Sequence, residues 1–293
     1  MKTVAEVLFG GKTLDDREVG IEIEVEGTDL PIVRDELWRT EHDGSLRNEA
    51  YEYVLNEPVP RDKVKIALLK LKKKLILQKS EIYDSGRAGV HIHINIRDLT
   101  RPQLYNFICL YLIFEDVLVD YCGESRVGNL FCLRTKDAEY LTDLLISSAR
   151  NRELRELHTD NIRYASINCK AICQYGSLEF RAMRSTVDLK VLNNWVGMLL
   201  CLKDAAKTYE NPQDIVGCMS AYGGKGFADH IFGDKLSCFP NLDWDTAVTE
   251  GIRRAQPLAY CSNWKERTSE GLGLERVQVA VPRPVFDRGE RLV

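Results

Sequence analysis

Glu18-Val19-Gly20-Ile21-Glu22-Ile23-Glu24-Val25-Glu26-Gly27 is the stretch that decides the fold. Its period is two: Val19, Ile21, Ile23 and Val25 fall on one side and Glu22, Glu24 and Glu26 on the other, the pattern of a half-buried β-strand. Two further stretches repeat it. In residues 89–97 Val90, Ile92, Ile94 and Ile96 oppose His91, His93, Asn95 and Arg97, and in residues 177–184 Glu179 and Arg181 stand two apart within a strand-like segment. After the turn signal Asp43-Gly44-Ser45, Ala50 to Leu55 reads as another strand and the partner of a hairpin, with Tyr51, Tyr53 and Leu55 opposing Glu52 and Val54. Set in one sheet, these strands make a polar, carboxylate-rich face, which a stable fold has no reason to build unless it holds a cation or a charged ligand. Read alone, Glu22 to Glu26 is simply the solvent face of an antiparallel sheet. The agreement among the strands favours a site, and Glu26 is the member expected to return to solvent.

Working outward, residues 61–79 carry Val64, Leu68, Leu71 and Leu75 at helical spacing with lysines on the outer side, a solvated basic face. Residues 101–121 and 137–149 predict helices that cover the apolar side of the sheet. Residues 162–169 and 177–184 predict two strands joined around Gln174-Tyr175-Gly176, a hairpin bearing Arg163, Ser166, Asn168, Glu179 and Arg181. A long apolar helix follows over 188–209. From Asn211 the chain turns Gly-, Pro- and charge-rich, and from about residue 270 it reads as an extended tail. Residues 1–210 are thus expected to form the catalytic unit, with 211–293 an extension packed on it or continuous with it. Tyr222-Gly223-Gly224-Lys225-Gly226 reads as a mobile loop able to close over substrate. Trp195 and Trp264 read as packing residues. Gly10-Gly11-Lys12-Thr13 fails as a phosphate loop, because Glu6 stands where the first glycine is required.

The composition bounds the function. With 293 residues, 44% hydrophobic and 29% charged, the chain has the make-up of a globular protein with a substantial core. A net charge of -4 predicts no general affinity for nucleic acid. The nine cysteines are scattered without a C-x-x-C pair, so they are expected to be reduced thiols and neither a disulfide framework nor a zinc site. No apolar run is long enough to span a bilayer and the N-terminus has no signal-peptide layout, so a cytoplasmic location is expected.

Carboxylates crowded on one face repel, and a hard divalent cation such as Mg2+ relieves that repulsion with oxygen ligands. Glu22, Glu24, Glu52 and Glu179 are the candidate ligands. Arg163 and Arg181 offer the forked geometry that grips phosphate oxygens, so the combination points to a nucleoside triphosphate. His91-x-His93 reads either as ordinary polar strand residues or as a zinc pair, whose third ligand would come from His42, His158, His230 or a glutamate.

Five motifs in this order resemble those of the carboxylate-amine ligases of the glutamine synthetase-like fold, a group that takes in glutamate-cysteine ligases and the amidoligases. They are Gly20-Ile21-Glu22-Ile23-Glu24, Asp43-Gly44-Ser45 followed by Glu52-Tyr53-Val54, Gly89 to Asn95, Arg163 to Asn168, and Ser177 to Arg181, covering residues 17–210. The chain is shorter than the glutamate-cysteine ligases, and the resemblance is closer to the phage- and bacteria-associated amidoligases. It implies an α+β fold with a curved, mostly antiparallel sheet forming a catalytic funnel and helices on its outer face. It also implies ATP and Mg2+, a carboxylate substrate activated as an acyl phosphate, and an amine that displaces phosphate to give an amide. By that resemblance Glu22, Glu24, Glu52 and Glu179 hold magnesium, and His91 touches the phosphates or a metal, with His93 or Asn95 beside it. Arg163 and Arg181 stabilise the γ-phosphate, Asn168 belongs to the nucleotide site, and Asp43 contacts the amine or orders the loop that does. The implied substrates are an amino acid, a peptide or a cell-wall precursor, and a homo-oligomer is compatible with the fold. Two other readings use the same residues: a metal-dependent hydrolase or nuclease without ATP, and an inactive binding protein that keeps the fold.

Overall fold

The computed structural model describes residues 1–264, apart from Asn48. Within them the elements run α1 (Val4–Leu8), β1 (Val19–Thr28), β2 (Trp38–Glu41), β3 (Ala50–Leu55), α2 (Val64–Gln78), β4 (Glu81–Ile82), β5 (Gly89–Asn95) and α3 (Arg101–Cys122). They continue as α4 (Glu139–Asn151), β6 (Ile167–Asn168), α5 (Ala171–Tyr175), β7 (Ser177–Arg184), α6 (Leu189–Ala206), α7 (Pro212–Phe232) and α8 (Trp244–Ala259). The strands form one open antiparallel sheet in the order β2-β3-β1-β5-β7-β6, with β4 paired to the end of β1. The mixed architecture, an antiparallel sheet with helices on its apolar face, agrees with the pattern of the sequence.

That apolar face accounts for much of the stability. Val19, Ile21, Ile23 and Val25 of β1 are each no more than 1% exposed, and burying each contributes about 1.5–3 kcal/mol. They belong to one core with α2, α3 and α6. α3 is apolar all round because it has packing partners on both sides. Its Phe107 and Tyr111 lie against Phe180 of β7, with ring centroids 5.5 and 5.0 Å apart, while Phe114 meets Phe227 and Phe232 of α7 and Trp244 of α8. α8 lies directly on α3 through Gly251, where a Cβ would come within 2.1 Å of the Ile113 carbonyl oxygen. Among the described residues no helix is long and apolar enough to cross a membrane.

Several expectations need correction. The segment 162–169 is not a full strand: a 3-10 turn spans Asp160–Ile162, and only Ile167–Asn168 pair with β7. The expected hairpin link at Gln174-Tyr175-Gly176 is the end of the short helix α5, so the pairing holds but Arg163 lies outside it. β2 was not anticipated. Residues 222–226 are not a loop, since they lie within α7, which bends at Gly223 (φ 67°). That bend packs on α8, with the Gly224 amide donating to Asp245, so its surroundings are helical. Asn211 caps α7, with its side chain receiving the Gln213 amide and Pro212 in the first turn. Glu26 is buried rather than solvated, because the Arg47 amide donates to its carboxylate. Trp195 and Trp264 are buried, as expected. The expected tail from about residue 270 lies outside the described residues.

Between Val90 and Ile92 the register of β5 on β7 shifts, so that Arg181 and Ala182 together stand opposite His91. A β-bulge of this kind bends the strand and re-aims its side chains. The backbone groups it displaces need other partners. Arg126, 1% exposed, supplies them, donating to the carbonyl oxygens of Arg181 (2.9 Å) and Ala182 (3.1 Å) in the bulge and of Ala88 (3.3 Å) beside it.

Candidate active site

The cross-strand register gathers the polar residues into one row. Glu24 stands opposite Glu52, Glu22 opposite His91, and His93 and Asn168 both opposite Glu179. Side chains directly opposite on one face lie about 4.5–5.5 Å apart at Cβ, close enough to share a ligand. Gly20 faces His93, and a Cβ there would sit 3.2 Å from that of the histidine, so the glycine gives the imidazole room.

Two groups of donor atoms meet closely enough to share a cation: Glu22, His93 and Glu179, and Glu22, Glu52 and His91. Glu22 is common to both. Its carboxylate lies 3.3 Å from Nδ1 of His91 and 3.3 Å from Nε2 of His93. Asn168 donates to Glu179 Oε2 at 2.6 Å, Arg181 is ion-paired with Oε1 of the same carboxylate, and Ser177 Oγ lies 3.0 Å from His93 Nδ1. Glu179 and His93 are thus each oriented by a second polar group, as metal ligands generally are.

The electrostatics of this row are unbalanced. Burial would raise the carboxyl of Glu22, but His93 and His91 hold it well below the usual range. Glu179 is likewise lowered against its burial by His93, Arg181 and His91. His93 is raised against its burial by the Glu22 and Glu179 carboxylates. Glu52 is shifted the other way, since burial together with Glu22, Glu24, Asp43 and Glu41 pushes it up to about 8. Burial also raises Glu24 despite His91 and Arg181. His93 Nε2 is buried and makes no hydrogen bond. That nitrogen shares a donor group with the Glu22 and Glu179 carboxylates, an arrangement that fits a divalent cation, and the mixed nitrogen and oxygen donors admit Mn2+ or Zn2+ as well as Mg2+.

A cavity lies on each side of this row. One, of about 230 Å³, is lined by Glu24, Asp43, Ser45, Arg87, His91, Arg126, Phe131, Arg163, Tyr164, Asn168 and Arg181. The other, of about 200 Å³, has walls from Leu14, Ile21, Val54, Leu55, Pro58 and Tyr175 and carries Glu18, Glu22, Glu57, Arg39, His93 and Asn95.

The structure therefore places Glu22, Glu52, Glu179, His91 and His93 together, with Arg181 against them. Glu24 stands beside the two donor groups, its Oε2 taking the Gly89 amide at 2.7 Å and its Oε1 3.6 Å from His91 Nε2. Asp43 and Arg163 line the first cavity from loops, with Asp43 accepting from the Ser45 amide at 2.7 Å. Asn95 reaches only the second cavity, where its side chain bonds the Arg17 carbonyl and the Arg97 amide. His42, His158 and His230 belong to neither donor group, and glutamates complete both. Sequence reasoning passed over Ser177, Arg87 and Arg126. Ser177 was legible, since it shares the strand face of Glu179; the two arginines sit in turns with no periodicity to mark them.

No curated protein matches the chain. Residues 57–202 match the model of a family described as "Putative amidoligase enzyme". The match takes in β5, α3, β6 and β7, hence His91, His93, Asn168, Glu179 and Arg181, while Glu22, Glu24 and Glu52 come from the strands before it. With these motif residues assembled around one site, the chain belongs to the amidoligase family, whose description is that of an amide-forming enzyme.

Proposed function

We propose that this protein is an ATP-dependent carboxylate-amine ligase working at the row of Glu22, Glu52, Glu179, His91 and His93. We read residues 1–210 as its catalytic unit and the polar face of the sheet as the funnel of a glutamine synthetase-like fold. The observation that carries the reading is two groups of glutamate and histidine donors close enough to share a cation, with Arg181 beside them and a cavity on each side, room for two reactants to meet at one centre. The family assignment supports amine and carboxylate reactants.

The chemical difficulty is that one anion must attack another. A substrate carboxylate oxygen attacks the γ-phosphorus of ATP, the bond to the β-phosphate oxygen breaks, and ADP leaves with an acyl phosphate formed. The amine nitrogen then attacks the acyl carbon, phosphate leaves, and the nitrogen loses a proton as the amide forms. Mg2+ or Mn2+, when bound, supplies positive charge to the phosphoryl oxygens. Glu22, Glu52, Glu179, His91 and His93 would hold it. Arg181, fixed by Glu179 and by the bulge that aims it, presents a permanent cation to the transferring group. Asn168 and Ser177 keep Glu179 and His93 in place, so no reorganisation is needed as charge moves.

The test is the melting temperature with EDTA, Mg2+, and Mg2+ with a non-hydrolysable ATP analogue, on the wild type, Glu22→Ala and Arg181→Ala. A ligand at 100 times its Kd stabilises by about 2.7 kcal/mol, which moves Tm by roughly 4 °C in a protein of this size. A magnesium-dependent nucleotide shift lost in both variants is expected. Hydroxylamine then serves as a generic amine to trap the acyl phosphate as a hydroxamate. Absence of any nucleotide shift would sink the reading. The imidazoles in both donor groups favour one second reading, a metal-dependent hydrolase, which predicts hydrolysis with Zn2+ or Mn2+ and no nucleotide.

A further inference from the structure

We propose that the outer face of α2 is a docking surface for anionic phospholipid, which seats the protein on a membrane with its candidate active site turned toward water. The inference is independent of the ligase reading. The sequence predicts a solvated basic face here, and the structure shows that this face also carries a group of apolar side chains. Val64, Ala67, Leu68, Leu71 and Leu75 fill the inner side of α2 and are buried, and the Trp38 indole donates to the Ala67 carbonyl at 3.0 Å, so the helix is not free to turn. This setting leaves Ile66, Leu69, Ile76 and Leu77 outside, the last two 63% and 83% exposed. At 3.6 residues per turn the four fall on one stripe with Lys73 in its middle. The loop tied to α2 and to the turn after it, by Lys74 to Asp35 at 3.0 Å and by Ser80 to the Asp29 carbonyl at 2.7 Å, carries a fifth exposed apolar residue, Ile32. Apolar residues scattered singly over a surface need no explanation, but a group on one helix face does.

The charges beside the stripe say what covers it. Helical spacing puts Lys65 and Lys72 along one flank and Lys70 and Lys74 along the other. Lys65, Lys70 and Lys73 make no ion pair among the described residues, while Lys74 pairs with Asp35. Residues 61–79 carry eight lysines and arginines against one aspartate, a net +7 in a chain of net -4, so the remainder stands at -11. A negatively charged partner is therefore drawn to this face and repelled by the rest of the molecule, which fixes the orientation of docking.

Shape selects a lipid surface over a protein. The stripe is a convex ridge, most exposed at Leu77, with lysines along both flanks. A flat interface takes such a ridge directly: the apolar side chains enter to headgroup depth, and the lysine stems lie along the boundary with their ammonium groups among the phosphates. A protein would have to offer a matching groove lined with carboxylates. Pairing of α2 with the α2 of a second copy would set lysines against lysines. Because α2 covers the apolar side of the sheet, docking through its outer face leaves the polar face and its two cavities open to solution.

The test is co-sedimentation of the full chain with phosphatidylcholine vesicles, with and without phosphatidylglycerol, at low and high salt. It compares the wild type with a double variant Ile76→Ser and Leu77→Ser and with a double variant Lys70→Glu and Lys73→Glu. All six positions of α2 named on its outer stripe and flanks being exposed, both variants are expected to melt as the wild type does, so that a loss of binding is not a loss of fold. The expected result is sedimentation with phosphatidylglycerol vesicles only, weakened about ten-fold or more by either double variant and by high salt. A single variant Leu77→Trp is expected to shift its fluorescence to the blue on the same vesicles. No binding to phosphatidylglycerol vesicles overturns the proposal. So does binding that survives Ile76→Ser with Leu77→Ser and is competed by polyglutamate, which would mark a surface for acidic protein. Self-association of the wild type that the same double variant abolishes also overturns it, since a second copy would then cover the stripe.

Discussion

Ile23 and Glu24 are neighbours in β1 and both are out of solvent, 1% and 3% exposed, yet burial acts on them in opposite ways. The isoleucine side chain is removed from water and packed on the helical layer, which stabilises the fold. The glutamate is removed from water beside Glu52 and Asp43, which raises its pKa and opposes folding. The same contrast runs across the whole sheet, one face packed on α3 and the other crowded with like charges. The lesson is that the apolar face supplies the rigidity with which the polar face is held in a costly arrangement, the arrangement a functional site needs.

One residue from each face, Phe180 of β7 and Glu22 of β1, tests this division most strongly. Phe180, fully buried between the sheet and α3, is expected to cost about 3–5 kcal/mol on truncation to Ala, a fall in Tm of roughly 5–8 °C. On the polar face, Glu22→Gln is expected to lower turnover by about 10²–10³-fold, roughly 3–4 kcal/mol in the barrier, while the metal-free protein gives up only the pairing with His91 and His93 and loses much less stability than Phe180→Ala does. Should Glu22→Gln melt as poorly as Phe180→Ala, the polar face is structural and the contrast collapses.

A paired carboxylate immediately before β1 sharpens the comparison. Burial would raise Glu18, but Arg61 and Lys203 outweigh it and hold its carboxyl at about 2. A folded-state pKa below the unfolded value means stability that is complete above about pH 4.5 and lost as pH falls toward 2, of order 2–3 kcal/mol. Urea midpoints at pH 5 and pH 3 measure it, and Arg61→Gln is expected to remove more than half of the difference. An unchanged difference in that variant would show that acid acts elsewhere. The smallest effect belongs to Glu52, which has carboxylates for neighbours. Glu52→Gln is expected to stabilise the metal-free protein by about 1 kcal/mol and to abolish stabilisation by Mg2+. A lower metal-free melting temperature would contradict the repulsion argued here.

The readings that held were local ones. β1, β3, β5 and the helices α2, α3, α4 and α6 were legible because alternation and helical spacing are written in consecutive residues. β2 is only four residues long, too short for its period to register, and α7 was hidden by Gly217, Gly223, Gly224 and Gly226, although Asn211-Pro212 before it carries a helix-start signal. Leu178-Glu179-Phe180-Arg181 alternates and Ala182-Met183 breaks the alternation, the one trace of the bulge in the sequence. Glu26 misled because its partner, the Arg47 amide, comes from a loop that no periodicity describes. Arg126 had no signal at all, since its role is to satisfy carbonyl groups that are displaced only when β5 and β7 pair out of step.

The sequence by itself determined which side chains share a face, because alternation along a strand follows from backbone geometry within a few residues. It therefore carried Glu22 with Glu24, His91 with His93 and Glu179 with Arg181. Only the tertiary structure decided that Glu22 meets both histidines while Glu24 turns to the Gly89 amide, and that four arginines from separate segments line one cavity. Those groupings depend on the register between strands far apart in the chain and on where the intervening loops return, and both are set by hydrogen bonding and core packing summed over the whole fold.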